Sequence, residues 1–281
     1  SLVPGDVDAI VFWTRNPRPL MSNLEDLDQR GFRYFFQFTV LGYPRLLDRY
    51  GPRLGESIAT FIELSNRVGV DRVIWRYDPI VLTSHTDISF HLENFERIAV
   101  ALRGYTNRCV ISMVDIYRKS RKRLRQLEER GASVISGNSL SGDQLESLMV
   151  GINSRGMKNG MIVSSCADRL DLESFGICPG KCIDDEYLNE IFNINAPSRK
   201  DPGQRETCAC VVSKDIGMYD SCLFGCQYCY ATNSVERARD NFMGHDPTSP
   251  SLLGRYEADQ PLQKAIREGE IVWSQKKPRQ K

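Results

Sequence analysis

Histidine is scarce in this chain of 281 residues, and His85, His91 and His245 are too scattered to form a ligand pair. Net charge of one sign is also lacking. The 37 Lys and Arg stand against 36 Asp and Glu, and the resulting +1 excludes a strongly basic nucleic-acid binder by bulk charge, though not a local patch. No apolar run approaches the roughly 20 residues that span a bilayer, so a soluble protein with no membrane association is expected. A phosphate-cradling Gly-rich loop is absent, as is any order of Ser, His and Asp that suggests a nucleophilic triad. Ser1-Leu-Val-Pro-Gly5 shows neither an initiator Met nor a signal-peptide pattern, which implies a fragment or a processed start. No long linker, repeat or low-complexity tract interrupts the chain before the polar tail Gln275–Lys281, for which disorder is expected.

Cysteine, by contrast, is concentrated. Of nine cysteines, Cys109 stands alone and the other eight fall between Cys166 and Cys229. With 41% apolar residues the chain can bury a core that needs no disulfide staples, so this clustering reads as metal binding in a reducing, cytoplasmic compartment. The strongest signal is Cys222-Leu-Phe-Gly-Cys226-Gln-Tyr-Cys229-Tyr230. Three thiolates on one tight loop can hold three irons of a 4Fe-4S cluster and leave the fourth open to a substrate. A structural zinc ribbon is the competing reading of Cys-x-x-Cys spacing, although zinc usually takes four ligands in pairs.

Hydrophobic periodicity divides the body into alternating strands and helices. Strands are expected at Asp8–Trp13, Tyr34–Val40, Arg72–Asp78 (stopped by Pro79), Cys109–Asp115, Met161–Ser165 and Ala209–Ser213. Between them lie helices ending near Gly31, at about 55–68 and 90–102, a basic helix running to Gly131, and helices at about 142–154 and 184–192. This βα alternation implies an α/β fold with a parallel sheet, a (β/α)6-type partial TIM barrel whose chemistry gathers at the C-terminal ends of its strands. The expected organisation is a part-barrel body at 1–207, a final strand and cluster-binding region of the same domain at 208–260, and a helix and polar tail at 261–281.

The triplet, with Gly225 before its second cysteine and Tyr228 before its third, resembles the cluster loop of radical S-adenosylmethionine (radical SAM) enzymes. Further motifs make the chain similar to a bacterial family of unknown function that carries such a cluster near its C-terminus. They are Ile10-Val-Phe-Trp-Thr-Arg-Asn-Pro-Arg-Pro19, Arg76-Tyr-Asp-Pro79, Gly180-Lys-Cys-Ile-Asp184 and Asp215-Ile-Gly-Met-Tyr219. Members of that family begin with a Ser-x-Arg-Arg-Thr-Asp-like segment that this sequence does not contain. The Cys-x-Tyr-Cys-Tyr ending is also weakly similar to spore photoproduct lyase, which would imply a nucleic-acid substrate. The radical SAM resemblance implies a 4Fe-4S cluster on Cys222, Cys226 and Cys229 with S-adenosylmethionine on the open iron, an electron donor such as flavodoxin or ferredoxin, and radical chemistry on a small-molecule or nucleic-acid substrate. In that class the cysteine loop follows the first strand, whereas here it follows the last. A circularly permuted radical SAM barrel is therefore expected, with Ala209–Ser213 pairing in parallel with Ala9–Trp13.

Other residues join the site on this reading. Arg76 and Asp78 end a strand and suit the carboxylate and ribose of S-adenosylmethionine, or else form a structural ion pair at the rim. Asn16 takes the place of the missing Gly-Gly-Glu-Pro loop, or else serves a plain turn. Asp115 and Asp168 end further strands and face the pocket or cap helices. Cys166, Cys182, Cys208 and Cys210 can hold a second 4Fe-4S cluster, with Cys178 as the spare, or remain buried inert thiols. Cys166 ends one strand while Cys208 precedes another, which places them at opposite barrel ends. The six cations of Arg118-Lys-Ser-Arg-Lys-Arg-Leu-Arg125 can attract a phosphate backbone or form a solvated face offset by Glu128 and Glu129. The alternative function from another class is a non-catalytic iron–sulfur or zinc-binding protein acting in redox sensing or nucleic-acid binding.

Overall fold

The computed structural model describes residues 3–249 and 251–254. Six strands form one all-parallel sheet: β1 (Ile10–Thr14), β2 (Tyr34–Thr39), β3 (Val73–Ile80), β4 (Arg108–Met113), β5 (Ile162–Cys166) and β6 (Cys178–Gly180). They lie side by side in chain order, each paired with the next. Short helices α1 (Arg18–Met21) and α2 (Leu24–Gln29) cross from β1 to β2, α3 (Leu54–Val68) from β2 to β3, and α4 (Ile88–Leu102) from β3 to β4. The crossover from β4 to β5 holds α5 (Arg118–Glu128) and α6 (Gly142–Lys158). After β6 come α7 (Asp185–Phe192) and α8 (Val235–Met243). The expected helix and tail at 261–281 lie outside the described residues.

Pleating sorts the strand residues into two faces. On one, Tyr34, Phe36 and Phe38 of β2 join Trp75 and Tyr77 of β3 and Phe61, Leu64, Phe95 and Ile98 of α3 and α4 in the main core. On the other, Phe35, Ile74 and Val110 meet Tyr187 and Leu188 of α7. Along this second face the chemistry changes with height. Phe35 gives way to Gln37 on β2, Ile74 to Arg76 and Asp78 on β3, Val110 to Ser112 on β4, and Ile162 to Ser164 and Cys166 on β5. The lower half is apolar, sealed at Phe35, Ile74 and Val110, and the upper half, at the C-terminal ends, is polar.

Two sequence-based assignments are corrected. β3 does not stop before Pro79 but runs through it to Ile80, because a register irregularity between Tyr77 and Ile80 spares the ladder the N–H that proline lacks. Ala209–Ser213 is not a strand of the sheet and does not pair with β1, which pairs only with β2 among the described residues. Its single bridge is antiparallel, Lys200 to Val211. Its apolar character serves a different burial, since Cys208, Cys210 and Val211 pack over the sheet's C-terminal rim. The sixth strand is Cys178-Pro-Gly180 instead, where Gly180 is needed because a Cβ would sit 2.8 Å from Ser164 Oγ.

Candidate metal centres at the C-terminal rim

The cysteine triplet lies across the chain that follows β2. Tyr50 N–H donates to Phe224 O at 2.9 Å, Gln227 N–H to Leu47 O at 3.0 Å, and Asp48 and Cys226 form an antiparallel bridge. The loop turns tightly, with Cys229 N–H donating to Cys226 O at 3.2 Å. Gly225 sits at φ +63°, and a Cβ there would meet the Tyr50 ring at 3.1 Å, so its glycine is required on both counts. From the other side, Arg123 of α5 donates to the carbonyls of Gln227 (3.3 Å), Thr232 (2.8 Å) and Cys229. One guanidinium thus holds the loop by its backbone.

Arg15, one residue beyond β1, points into this loop. Its Nη1 donates to Cys226 Sγ at 2.7 Å and to Asp48 Oδ1 at 2.9 Å, and its Nη2 to Asp48 Oδ2 at 2.5 Å. Burial disfavours the Arg15 charge, but Tyr228, Asp48 and Cys226 outweigh it and hold the guanidinium firmly protonated. Burial pushes the Cys226 thiol up to about 12 against the pull of Arg15. Arg15 Nε and the Tyr228 hydroxyl are both buried without a hydrogen-bond partner. Two such orphans beside three cysteines suit a site completed by another group. Cys222 is exposed and Cys229 half-buried, so the triplet opens to solvent at one end.

Four of the other five clustered cysteines also pack together. Cys166 closes β5, Cys182 follows β6, and Cys208 and Cys210 fold back over both, packing together with Ala167 and Ile183. The thiols of Cys166 and Cys182 lie 2.8 Å apart, and Cys210 Sγ accepts the backbone N–H groups of Cys182 (3.2 Å) and Ile183 (3.4 Å). The expected separation of Cys166 and Cys208 to opposite ends is therefore corrected: because 208–211 is not a strand, it lies against the same rim. Hydrogen bonding from Cys182, helped by the Ile183 N–H and opposed by burial, pulls the Cys210 thiol below its ordinary range. Cys166 moves up, through its hydrogen bond with Cys182 and through burial. All nine cysteines are free thiols, and Cys178 is exposed at the start of β6.

Arg76 serves this second group. Its Nη1 donates to Cys182 Sγ at 2.9 Å and Gln37 Oε1 at 3.3 Å, its Nε to Asp78 Oδ2 at 2.9 Å, and Gln37 Nε2 donates to Cys182 O at 3.1 Å. Asp78 also accepts Ser112 Oγ–H. Burial opposes the Arg76 charge, and Asp78, Cys182 and Cys166 more than restore it. Arg76 and Asp78 thus form the rim ion pair, with a cysteine added.

Asn16 caps a turn, its Oδ1 accepting the Arg18 N–H at 3.2 Å. Asp115 pairs with Arg205 at 2.8 Å, and Asp168 ties the end of β5 to β4 by accepting the Met113 N–H at 2.9 Å. Neither caps a helix. Sequence alone does not single out Asp48 or Gln37, whose partners lie far along the chain, and it presents Arg15 only beside Asn16 after the first strand and Arg123 only as one cation of the basic helix. Among the described residues no group of three or more His, Cys, Asp or Glu side chains is gathered around a point where one metal ion could sit. No helix among them is long and apolar enough to cross a membrane.

These features define an α/β protein with a six-stranded parallel sheet and two cysteine groups on one rim. The chain belongs to the family described as Domain of unknown function (DUF1848), which matches residues 1–231 and so takes in both groups. No curated protein matches the sequence.

Proposed function

We propose that the protein is an iron–sulfur enzyme of radical SAM type, in which Cys222, Cys226 and Cys229 hold a 4Fe-4S cluster and S-adenosylmethionine binds its open iron. The observation that carries this reading is the triplet loop itself, laid at the strand ends with the Arg15 guanidinium aimed at Cys226 Sγ. Hydrogen bonds to cysteine sulfur favour the anionic, metal-bound thiolate over the thiol. In a cubane each cysteine takes a separate iron, so its thiols need not converge on one point. When bound, the cluster would supply one electron for reductive cleavage of the sulfonium. The protein's own part is to orient and shield. Arg123 fixes the loop, Tyr228 offers a buried hydroxyl, and Asn16 stands beside Arg15 at the rim.

Cys166, Cys182, Cys208 and Cys210 form a closed set of four thiols, which supports a second 4Fe-4S cluster with no open position. Arg76 and Asp78 are engaged there and belong to that cluster on this reading. The strictly sequential parallel order of β1 to β6 supports a (β/α)6 part-barrel. The relation to a permuted radical SAM barrel would then be carried by the loop crossing the rim, without a strand of its own in the sheet. An electron donor such as flavodoxin or ferredoxin, and a cytoplasmic setting, belong to this reading.

Anaerobic purification and reconstitution test the proposal. A brown protein with about eight irons, an electron paramagnetic resonance signal that changes on adding S-adenosylmethionine, and release of 5′-deoxyadenosine are expected. A colourless protein carrying stoichiometric zinc would overturn it in favour of a non-catalytic zinc protein.

A further inference from the structure

The basic helix α5 divides its residues three ways. Ser120, Leu124 and Leu127 face the core, and Arg123 turns to the cysteine loop. Arg118, Lys119, Arg121, Lys122 and Arg125 are exposed, and none of the five is paired with a carboxylate among the described residues. Glu128 and Glu129, expected to offset them, form no ion pair with them. Like charge so concentrated, in a chain of net charge +1, forms a local positive field that attracts an anionic partner.

Aromatic rings flank the same surface. Tyr219 is 52% exposed and lies under Lys119, whose Nζ is 3.8 Å from the ring centroid. Tyr230, 56% exposed, directly follows Cys229 and packs at 5.4 Å against Tyr117, the residue before the first turn of α5. Cations in a row beside exposed rings are the two parts of a single-strand binding surface: the cations follow phosphates and the rings take unpaired bases. An acidic protein would need the cations but not the rings, and a duplex would hide its base faces.

We propose that α5, Tyr219 and Tyr230 bind single-stranded nucleic acid and lead it toward the triplet loop. The surface goes beyond the radical SAM reading and does not depend on any cluster, so binding can fail while the iron content stands, or hold while it falls. The test is fluorescence anisotropy on the full-length protein, as purified and after reconstitution, with a labelled homopyrimidine strand, a hairpin duplex and polyglutamate as probes. The strand is expected to bind more tightly than the duplex, with log K falling against log salt at a slope near −3, from about −0.7 per phosphate contacted. The exposed double substitution Arg121→Glu with Lys122→Glu should weaken binding by more than about tenfold and flatten that slope. Tyr219→Ala or Tyr230→Ala should weaken it by roughly tenfold and leave the slope unchanged. Circular dichroism melts matching the wild type show that these variants fold. Strand binding that ignores all of these substitutions overturns the proposal. Polyglutamate binding as tightly as the strand, with the tyrosine variants unaffected, also overturns it and assigns the helix to an acidic protein partner.

Discussion

The two cysteine groups share a plan but differ in enclosure. In each, an arginine bonded to an aspartate donates to one sulfur: Arg15 with Asp48 to Cys226, and Arg76 with Asp78 to Cys182. The four-cysteine group is drawn from strand ends and a strap lying on them, and its arginine side chain is 7% exposed. The triplet rides on a loop held through its backbone, its arginine is 17% exposed, and Cys222 faces solvent. A closed donor set suits structure or electron transfer, whereas an open one leaves room for a ligand. If both groups hold clusters as proposed, the same local device serves two purposes, set by how the chain delivers the thiols.

The comparison breaks most cleanly by removing one group. Replacing Cys222, Cys226 and Cys229 together by Ala should abolish the S-adenosylmethionine-sensitive resonance and leave about four irons on the other group. Loss of all iron, or no loss, would show that the groups are not independent.

Next in size are the arginines. Arg15→Met leaves Asp48 buried and unpaired, which should cost about 3–5 kcal/mol in urea unfolding. It should also lower the reduction potential of the triplet's cluster by removing a positive charge and a hydrogen bond from Cys226. Arg76→Met should cost less, because Asp78 is more exposed than Asp48 and keeps its hydrogen bond from Ser112, and it should leave the S-adenosylmethionine-sensitive signal in place.

Acid should act on the framework beneath the triplet loop. Tyr43, whose ring packs at 5.7 Å against Tyr228 of the triplet loop, rests on a buried network in which Tyr77 OH donates to His91 Nδ1 (2.9 Å) and His91 Nε2–H to Val81 O (3.1 Å). Burial holds His91 down at about 4, below its ordinary 6.5. A depressed pKa contributes stability that is whole above pH 6.5 and is lost as pH falls through 4, about 3 kcal/mol across that window. His91→Gln should flatten the acid limb of the urea-stability profile between those values, and a limb of unchanged steepness would deny the network this role.

The smallest effect is expected at Arg123→Ala. Its hydrogen bonds to loop carbonyls are charge-assisted but half-exposed, worth about 2 kcal/mol together. The expected result is faster chelator removal of iron from the triplet, with the other group unaffected.

Much of the fold was legible in the sequence because apolar runs and helical spacing report burial directly. β1 to β5 and α3 to α7 lie where periodicity puts them. The same signal misled at Ala209-Cys-Val-Val-Ser213, since packing on a thiol cluster also demands apolar residues and periodicity does not say against what a segment is buried. β6 was hidden for the opposite reason: Cys178-Pro-Gly180 carries two residues that strands disfavour. Helix α8 escaped notice because its nine residues bury only Ala238. The cysteine spacing drew attention to the triplet, and Cys166, Cys182, Cys208 and Cys210 do pack together on one rim. The cations that serve them could not be read, because nothing local distinguishes Arg15 or Arg123 from a surface arginine.

That distance along the chain has a consequence in time. Arg15 and Asp48 are 33 residues apart, yet Cys226 lies 211 residues beyond Arg15 and 178 beyond Asp48. At synthesis rates of about 5–20 residues per second, the pair waits roughly 10 to 40 seconds for its cysteine to be made. A lone guanidinium kept in a closing sheet that long would stay hydrated and hold the rim open. Asp48 gives it a partner early, so the thiols arrive at a charge already in position.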